Sequence, residues 1–192
     1  MFLSELARPT RHELIGRDVE VKELIYNSRK VKNGDVFCCI VGTFADGHKY
    51  AQQAVDAGAA ALVVERKLDI DVPQILVEDT RIAMAEMAAA YYGYPSREMQ
   101  MIGVTGTNGK TSTTYMLKAI AERMGKKVGL IGTIRNMIGD IIIDTERTTP
   151  ESVDLQRILR QMKDEKVDVV IMEVSSHSLD QKRVHGIEYD VG

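Results

Sequence analysis

The chain is short of cysteine, of basic excess and of long apolar runs, and each shortage removes a class of protein. Its 192 residues hold two cysteines, Cys38 and Cys39. They are adjacent in a strand-like stretch, so their side chains point to opposite faces and no bridge between them is expected; both read as small core residues. Lysine and arginine number 25 against 28 aspartates and glutamates, which gives a formal net charge of −3 and a pI near 5.8. Nucleic-acid surfaces show a basic excess or stripe, so no nucleic-acid partner is expected. No stretch reaches the apolar length that crosses a bilayer, and Met1 to Thr10 carries Glu5 and Arg8 where a signal peptide would be apolar. A cytosolic protein with no membrane partner is expected. The chain has no Gly-x-Ser-x-Gly elbow, no internal repeat and no low-complexity tract. His12, His48 and His185 lack ligand spacing, so no zinc site is expected.

What the chain does have is a phosphate cradle. Between a strand-like run, Met101 to Thr105, and a helix-like run beginning near Thr111 lies Gly106-Thr107-Asn108-Gly109-Lys110-Thr111-Ser112. The two glycines allow a tight turn that points backbone N–H groups inward, and the positive end of the following helix adds attraction for a polyphosphate. Lys110 supplies a mobile cation. Thr111 stands where P-loop proteins place a Mg²⁺ ligand. The general pattern G-x-x-x-x-G-K-[ST] is not met, because its first position falls on Val104. The competing reading is a Gly-rich connection before an exposed lysine. Strand, loop, Gly-Lys-Thr and helix in that order favour phosphate.

Length allows one large or two small domains. The chain changes character near Tyr94-Pro95-Ser96, which predicts domains over 1–97 and 98–192. In the first, Val36 to Val41, Ala61 to Val64 and Gln74 to Val77 read as short buried strands. Tyr50 to Ala57 and Arg81 to Tyr92 read as helices, the second with Asp79 or Thr80 as N-cap. This alternation indicates a small α/β domain. In the second, Gln100 to Thr105, Val128 to Ile131 and Val167 to Val174 are apolar strands without a polar face, as in a mostly parallel sheet covered on both sides. Helices over Thr111 to Met124 and Glu151 to Lys163 separate them. Ile138 to Asp144, with Gly139-Asp140 inside, reads as a hairpin turn or a bulge. Ile187 to Val191 reads as an incipient strand at the end of the chain. Because so few strands would leave an unpaired edge, the chain is expected to be the front part of something longer.

A second constellation is Val169-Val170-Ile171-Met172-Glu173-Val174-Ser175-Ser176-His177. Four apolar residues followed by an acid put Glu173 at the carboxyl end of a buried strand, where ligand-binding groups collect in open α/β sheets. It is a Mg²⁺ candidate, and the bland reading is an acid capping a strand end beside solvent. Ser175, Ser176 and His177 are adjacent and so do not converge as a triad; hydrogen bonding to a ligand is the better reading.

These residues resemble a known family. Gly106 to Thr111 is similar to the nucleotide loop of the ATP-dependent Mur ligases of peptidoglycan synthesis and of their relatives, the folylpolyglutamate and cyanophycin synthetases. Asn27-Ser28-Arg29-Lys30-Val31-Lys32-Asn33-Gly34-Asp35-Val36-Phe37, followed by Gly42-Thr43-Phe44-Ala45-Asp46-Gly47-His48, resembles the uridine-nucleotide domain of the members that add the third residue and the terminal dipeptide. Thr148-Thr149-Pro150 and Glu173 to Leu179, with Gln181 and Arg183, are similar to the third-residue branch. The resemblance implies a P-loop ATPase domain that follows a UDP-sugar-binding domain. Gly106, Thr107, Asn108, Gly109, Lys110, Thr111 and Ser112 would bind ATP, with Thr111 and Glu173 on Mg²⁺ and Lys110 and Glu173 serving catalysis. Ser28, Thr43, Phe44 and Ala45 would contact the uridine diphosphate end of the substrate, and Thr148, Thr149, Ser175, Gln181 and Arg183 the rest of it. The implied substrates are UDP-N-acetylmuramoyl-L-Ala-D-Glu and a diamino acid, either meso-diaminopimelate or L-lysine, joined through an acyl phosphate by a monomeric enzyme. One position departs, since the family often has Asn where Arg147 precedes the Thr-Thr pair. The second-metal support and the amino-acid-binding domain would lie beyond Gly192, so these residues alone are expected to bind without turning over. Two alternatives stay open: a catalytically silent module for ATP and UDP-sugar, and a related ligase of the folyl or terminal-dipeptide type.

Overall fold

The computed structural model of the chain describes residues 1–42, 45–143 and 147–192. They form two compact units, Met1–Tyr91 and Tyr92–Gly192. The first unit runs α1 (Leu3–Ala7), β1 (Glu13–Ile15), β2 (Leu24–Ile25), β3 (Val36–Cys38), α2 (Ala51–Asp56), β4 (Ala61–Val64), β5 (Gln74–Leu76) and α3 (Thr80–Tyr91). Its sheet has the order β1-β5-β4-β3-β2, with β2 to β5 parallel and β1 antiparallel at one edge. Phe37, Leu62 and Val64 pack with Ala51 and Ala54 of α2, whose small side chains let the helix lie close to the sheet. α3 begins where expected. The Asp79 carboxylate accepts from the N–H groups of Arg81 at 2.8 Å and Ile82 at 3.0 Å, so Asp79 is the N-cap. Cys38 and Cys39 are both buried and unbridged. Burial pushes the Cys39 thiol up to about 12 and Cys38 well above its ordinary value, as suits core thiols without reactivity.

The second unit runs β6 (Gln100–Val104), α4 (Lys110–Arg123), β7 (Val128–Ile131), β8 (Asn136–Ile138), β9 (Ile141–Ile143), α5 (Ser152–Asp164), β10 (Val169–Glu173) and α6 (Ser176–Asp180). The sheet order is β6-β10-β7-β8-β9. The three apolar strands β6, β10 and β7 are parallel, and β7-β8-β9 continue antiparallel. Gly139 and Asp140 make the turn between β8 and β9, with Gly139 at φ +57°, so the hairpin reading holds over its described part. Asp144 lies outside the described residues.

Alternation along β10 decides which helix covers which face. Val170 and Met172 cluster with Leu155, Ile158, Leu159 and Met162 of α5, the i, i+3, i+4, i+7 stripe of an amphipathic helix. Val169 and Ile171 cluster with Tyr115, Leu117 and Ala121 of α4 on the opposite side. Both faces are therefore covered, as strands with no polar residue require. Leu159, fully buried, stabilises this core by roughly 1.5–3 kcal/mol. The incipient strand at Ile187 to Val191 is reduced to a single parallel bridge, Ile102 with Val191. The short pieces α1, β1 and β2 had no sequence signature, being two to five residues long.

Candidate functional site

Because β6, β7 and β10 are parallel, their carboxyl ends lie at one edge of the sheet, and the segments that follow them meet there. After β6 the chain turns through Gly106 at φ +142° and Gly109 at φ +83°, conformations that side-chain-bearing residues rarely adopt. Gly109 is the N-cap of α4 and has no side chain to occupy the helix's first N–H groups. Those donors and the positive end of a 14-residue helix are open to an anion. Thr107, Asn108 and Ser112 are exposed around the loop. The Lys110 ammonium folds back and donates to the Gly106 carbonyl at 2.7 Å.

Glu173 is the last residue of β10, and its parity with Val169 and Ile171 directs it to the α4 side. It is 1 % exposed. Among the described residues three donors hold the carboxylate: the Thr111 hydroxyl on Oε2 at 3.1 Å, the Thr133 hydroxyl on Oε2 at 3.0 Å, and the Thr133 N–H on Oε1 at 3.0 Å. The two residues assigned to Mg²⁺ from the sequence are thus brought together. A hydroxyl and a carboxylate are hard oxygen donors suited to that ion. Among the described residues no group of three or more His, Cys, Asp or Glu side chains could hold a metal ion, so a cation here would complete its shell with phosphate oxygens and water.

The remaining residues assigned to this unit are linked to the end of β10 and to one another. Thr149 donates its hydroxyl to the Glu173 carbonyl at 2.8 Å and accepts from the Ser175 N–H at 3.3 Å. Thr148 Oγ1 lies 3.2 Å from Thr133 Oγ1. Ser175 caps α6 by accepting from the Ser178 N–H at 3.1 Å. Arg183 donates to the Thr149 carbonyl at 3.1 Å and to Gln181 Oε1 at 2.5 Å. Its Nε is 3.1 Å from Glu151, a buried carboxylate whose same oxygen also takes Arg147 at 2.5 Å. Arg147 is in this way tied to the Thr148-Thr149 segment.

Sequence reasoning missed four residues here: Gly132, Thr133, Asn136 and Glu151. The available signal for the first two was a Gly-Thr pair directly after the buried strand β7. Gly132 is required by space, since a Cβ there would stand 2.5 Å from Glu173 Oε1. Asn136, fully buried, accepts from the Gly132 N–H at 3.1 Å and fixes the turn from β7 to β8. Beside the loop, a cavity of about 510 Å³ is lined by Thr111, Ser112, Tyr115, Lys118, Ile134, Arg135 and Met137.

In the first unit Ser28 opens a short 3₁₀ turn, Ser28–Lys30, capped by Asn27, whose side chain accepts from the Arg29 N–H at 3.0 Å. The Ser28 hydroxyl is 3.4 Å from Gln53 Oε1. A cavity of about 320 Å³ is lined by Asn27, Ser28, Gly42, Ala45, Gly47 and Tyr50 among others, so Ser28 and Ala45 share one pocket. Thr43 and Phe44, assigned to the same loop, lie outside the described residues. His48, just beyond, is structural: its Nε2 accepts from the Glu65 N–H at 3.0 Å, which puts the ring proton on Nδ1, 2.6 Å from Asp46. Arg66 reaches the other Asp46 oxygen at 2.6 Å. The Arg66 hydrogen bond first, then those from the His48 N–H and ring, hold the Asp46 carboxyl well below the usual carboxylate range.

A sheet edge carrying a Gly-Lys-Thr loop, a buried acid on the neighbouring strand and a Thr-Thr segment hydrogen-bonded to the main chain of that strand's last residue is the layout of a P-loop unit. The family descriptions "Mur ligase family, catalytic domain" and "Mur ligase middle domain" match residues 20–92 and 104–192. The chain belongs to the Mur ligase family. It is 53% identical over 175 residues to the UDP-N-acetylmuramoyl-L-alanyl-D-glutamate–2,6-diaminopimelate ligase of Clostridium botulinum, a match over 88% of this chain and 36% of that protein. With the ligase of the same name from Geobacillus kaustophilus it shares 52% over 176 residues, 92% of this chain and 36% of that one. A solved structure of a UDP-N-acetylmuramoyl-L-alanyl-D-glutamate–2,6-diaminopimelate ligase superposes with a TM-score of 0.74 at 26% identity, over 90% of this chain and 37% of that one. The chain therefore spans little more than a third of the length of these relatives.

Proposed function

We propose that this chain is the nucleotide-binding part of an ATP-dependent ligase that joins diaminopimelate to UDP-N-acetylmuramoyl-L-Ala-D-Glu in the cytoplasm. The observation that carries the reading is the Thr111–Glu173 contact, which links the phosphate loop to the strand end where the Thr148-Thr149 segment also docks. The names of the relatives at about 50% identity support the substrate pair and favour diaminopimelate over L-lysine. In this reading residues 1–97 recognise the uridine end through Ser28, Thr43, Phe44 and Ala45, and residues 98–192 bind ATP.

The roles follow from chemistry. Joining an amine to a carboxylate in water needs a better leaving group than oxide. The D-Glu side-chain carboxylate takes the γ-phosphoryl group of ATP, ADP leaves, and the resulting acyl phosphate is attacked by the amine of diaminopimelate. The tetrahedral adduct collapses to the amide with loss of phosphate and a proton. Gly106 to Ser112 cradle the polyphosphate through backbone N–H groups, and Lys110 leaves the Gly106 carbonyl to neutralise charge on the group in transit. Thr111 and Glu173 would hold Mg²⁺, which supplies further neutralisation there. Thr148, Thr149, Ser175, Gln181 and Arg183 orient the sugar nucleotide so that its carboxylate faces the phosphoryl group, a matter of effective concentration. No protein nucleophile is needed.

The test is to incubate the full-length ligase carrying this chain with ATP, Mg²⁺ and UDP-N-acetylmuramoyl-L-Ala-D-Glu, with meso-diaminopimelate or L-lysine, and in parallel with the UDP-N-acetylmuramoyl tripeptide and D-Ala-D-Ala, and to follow the products by mass spectrometry. Product with diaminopimelate is expected. Ligation only of D-Ala-D-Ala to a tripeptide precursor would move the chain to the terminal-dipeptide branch.

A further inference from the structure

Glu173 is assigned to the cation, yet among the described residues most of what fixes its carboxylate comes from a residue outside the phosphate loop. Three hydrogen bonds reach the two oxygens, and two of them come from Thr133. Its N–H takes Oε1 and its hydroxyl takes Oε2, each at 3.0 Å. One residue thus grips both oxygens and sets the plane of the group. The third donor, Thr111, must turn its hydroxyl oxygen toward any cation it ligates. Thr133 would then remain as the fixed partner.

The grip is itself built. Asn136 pins the Gly132 N–H at 3.1 Å, and Gly132 lets the chain pass where a Cβ would stand 2.5 Å from Glu173 Oε1. These two contacts place the Thr133 N–H against the carboxylate. The hydroxyl has a further neighbour, Thr148 Oγ1 at 3.2 Å. A hydroxyl has one proton, and an ionised carboxylate only accepts, so Thr133 donates to Glu173 and Thr148 donates to Thr133. The hydrogen bonds run in one direction, from the segment assigned to the sugar nucleotide to the acid assigned to the cation.

We infer that Thr133 is a positioning residue that holds the Glu173 carboxylate for a Mg²⁺-bound nucleotide. The inference rests on the ligase reading for the identity of the nucleotide. Thr133 itself is exposed, so replacing it does not open the core. Thr133→Val keeps the shape and the N–H and removes only the hydroxyl. Thr133→Ser keeps the hydroxyl.

The experiment measures ATP affinity of the 192-residue chain by calorimetry, once with Mg²⁺ and once with EDTA, for the native protein and both variants. The readout is the ratio of the two affinities. Native protein is expected to bind more tightly with Mg²⁺. In Thr133→Val that ratio falls by about tenfold, the scale of a lost hydrogen bond to a charged group, with EDTA affinity unchanged. In Thr133→Ser it returns to within about twofold of native. A Thr133→Val ratio equal to the native one overturns the proposal. So does an equal loss with and without Mg²⁺, which would place Thr133 on the loop rather than on the acid. Native protein that binds no ATP overturns the ligase reading, and the proposal with it.

Discussion

The Lys110 ammonium donates to the carbonyl of Gly106 at 2.7 Å, four residues back on the same loop. This contact keeps the cation over the turn formed by Gly106 and Gly109, and a bound polyphosphate would draw it off the carbonyl. A charge-assisted contact of this kind is worth roughly 1.5–3 kcal/mol, so Lys110→Ala is expected to weaken ATP binding by at least about tenfold. Among the described residues the side chain takes no part in the core clusters around β10, so the melting temperature should hold. Calorimetric titration with Mg-ATP checks this, and unchanged affinity would remove Lys110 from the site.

Gly132 gives a sharper test, because its requirement is steric. A Cβ at this position would stand 2.5 Å from Glu173 Oε1 and 3.2 Å from its carboxyl carbon. Gly132→Ala must push the carboxylate away or shift the turn after β7, at a cost of about 1–3 kcal/mol for overpacking a buried site. Urea unfolding should show that loss, and Mg²⁺-dependent nucleotide affinity should fall with it. If stability and affinity both stayed native, the close packing of Gly132 on Glu173 would be wrong.

Much of this site was legible because two of its parts are written locally. The Gly106 to Ser112 loop announces itself through glycine spacing and a lysine before a hydroxyl, and Glu173 through four apolar residues that end in an acid. The Gly132-Thr133 pair marks the end of a buried strand, but neither it nor Asn136 shows locally that it faces Glu173. Their relation to Glu173 depends on β10 lying between β6 and β7, a strand order that no local pattern encodes. Glu151 was hidden for another reason. A glutamate before a helix reads as a solvated N-terminal acid, and only the structure shows it buried between the guanidinium groups of Arg147 and Arg183. In the first unit β1 and β2 are too short to carry any period.

Ser28 and Ala45 line the same pocket of about 320 Å³ in the unit Met1–Tyr91. If that pocket takes the uridine end of the substrate, residues 1–97 produced alone should still bind UDP-N-acetylmuramoyl-L-Ala-D-Glu, more weakly than the whole chain. An NMR titration should move the amide resonances of Asn27, Ser28, Gly42 and Ala45. Ser28→Ala removes one neutral hydrogen-bonding group and should weaken binding by about three- to tenfold. Shifts confined to residues outside the pocket would place the uridine elsewhere.

Asp46 lies in the chain between Ala45 and Gly47, two residues that line this pocket, and its charge makes the local structure dependent on pH. Arg66 and His48 hold its carboxyl well below the ordinary carboxylate range, so the folded chain keeps it ionised in acid that protonates it when unfolded. A group depressed in this way contributes stability that is fully present above its unfolded value of about 3.9 and is lost as pH falls toward its folded value. Asp46→Asn lacks the ionisation. Near pH 7 the variant should therefore be the less stable protein, by an amount that stays constant down to about pH 4.5. Below about pH 4 the native chain should lose stability more steeply than the variant, so that the difference between them narrows as pH falls. Chemical denaturation of both proteins across that range checks it. A difference that stayed the same at every pH would mean that the Arg66 and His48 contacts do not depend on the charge of Asp46.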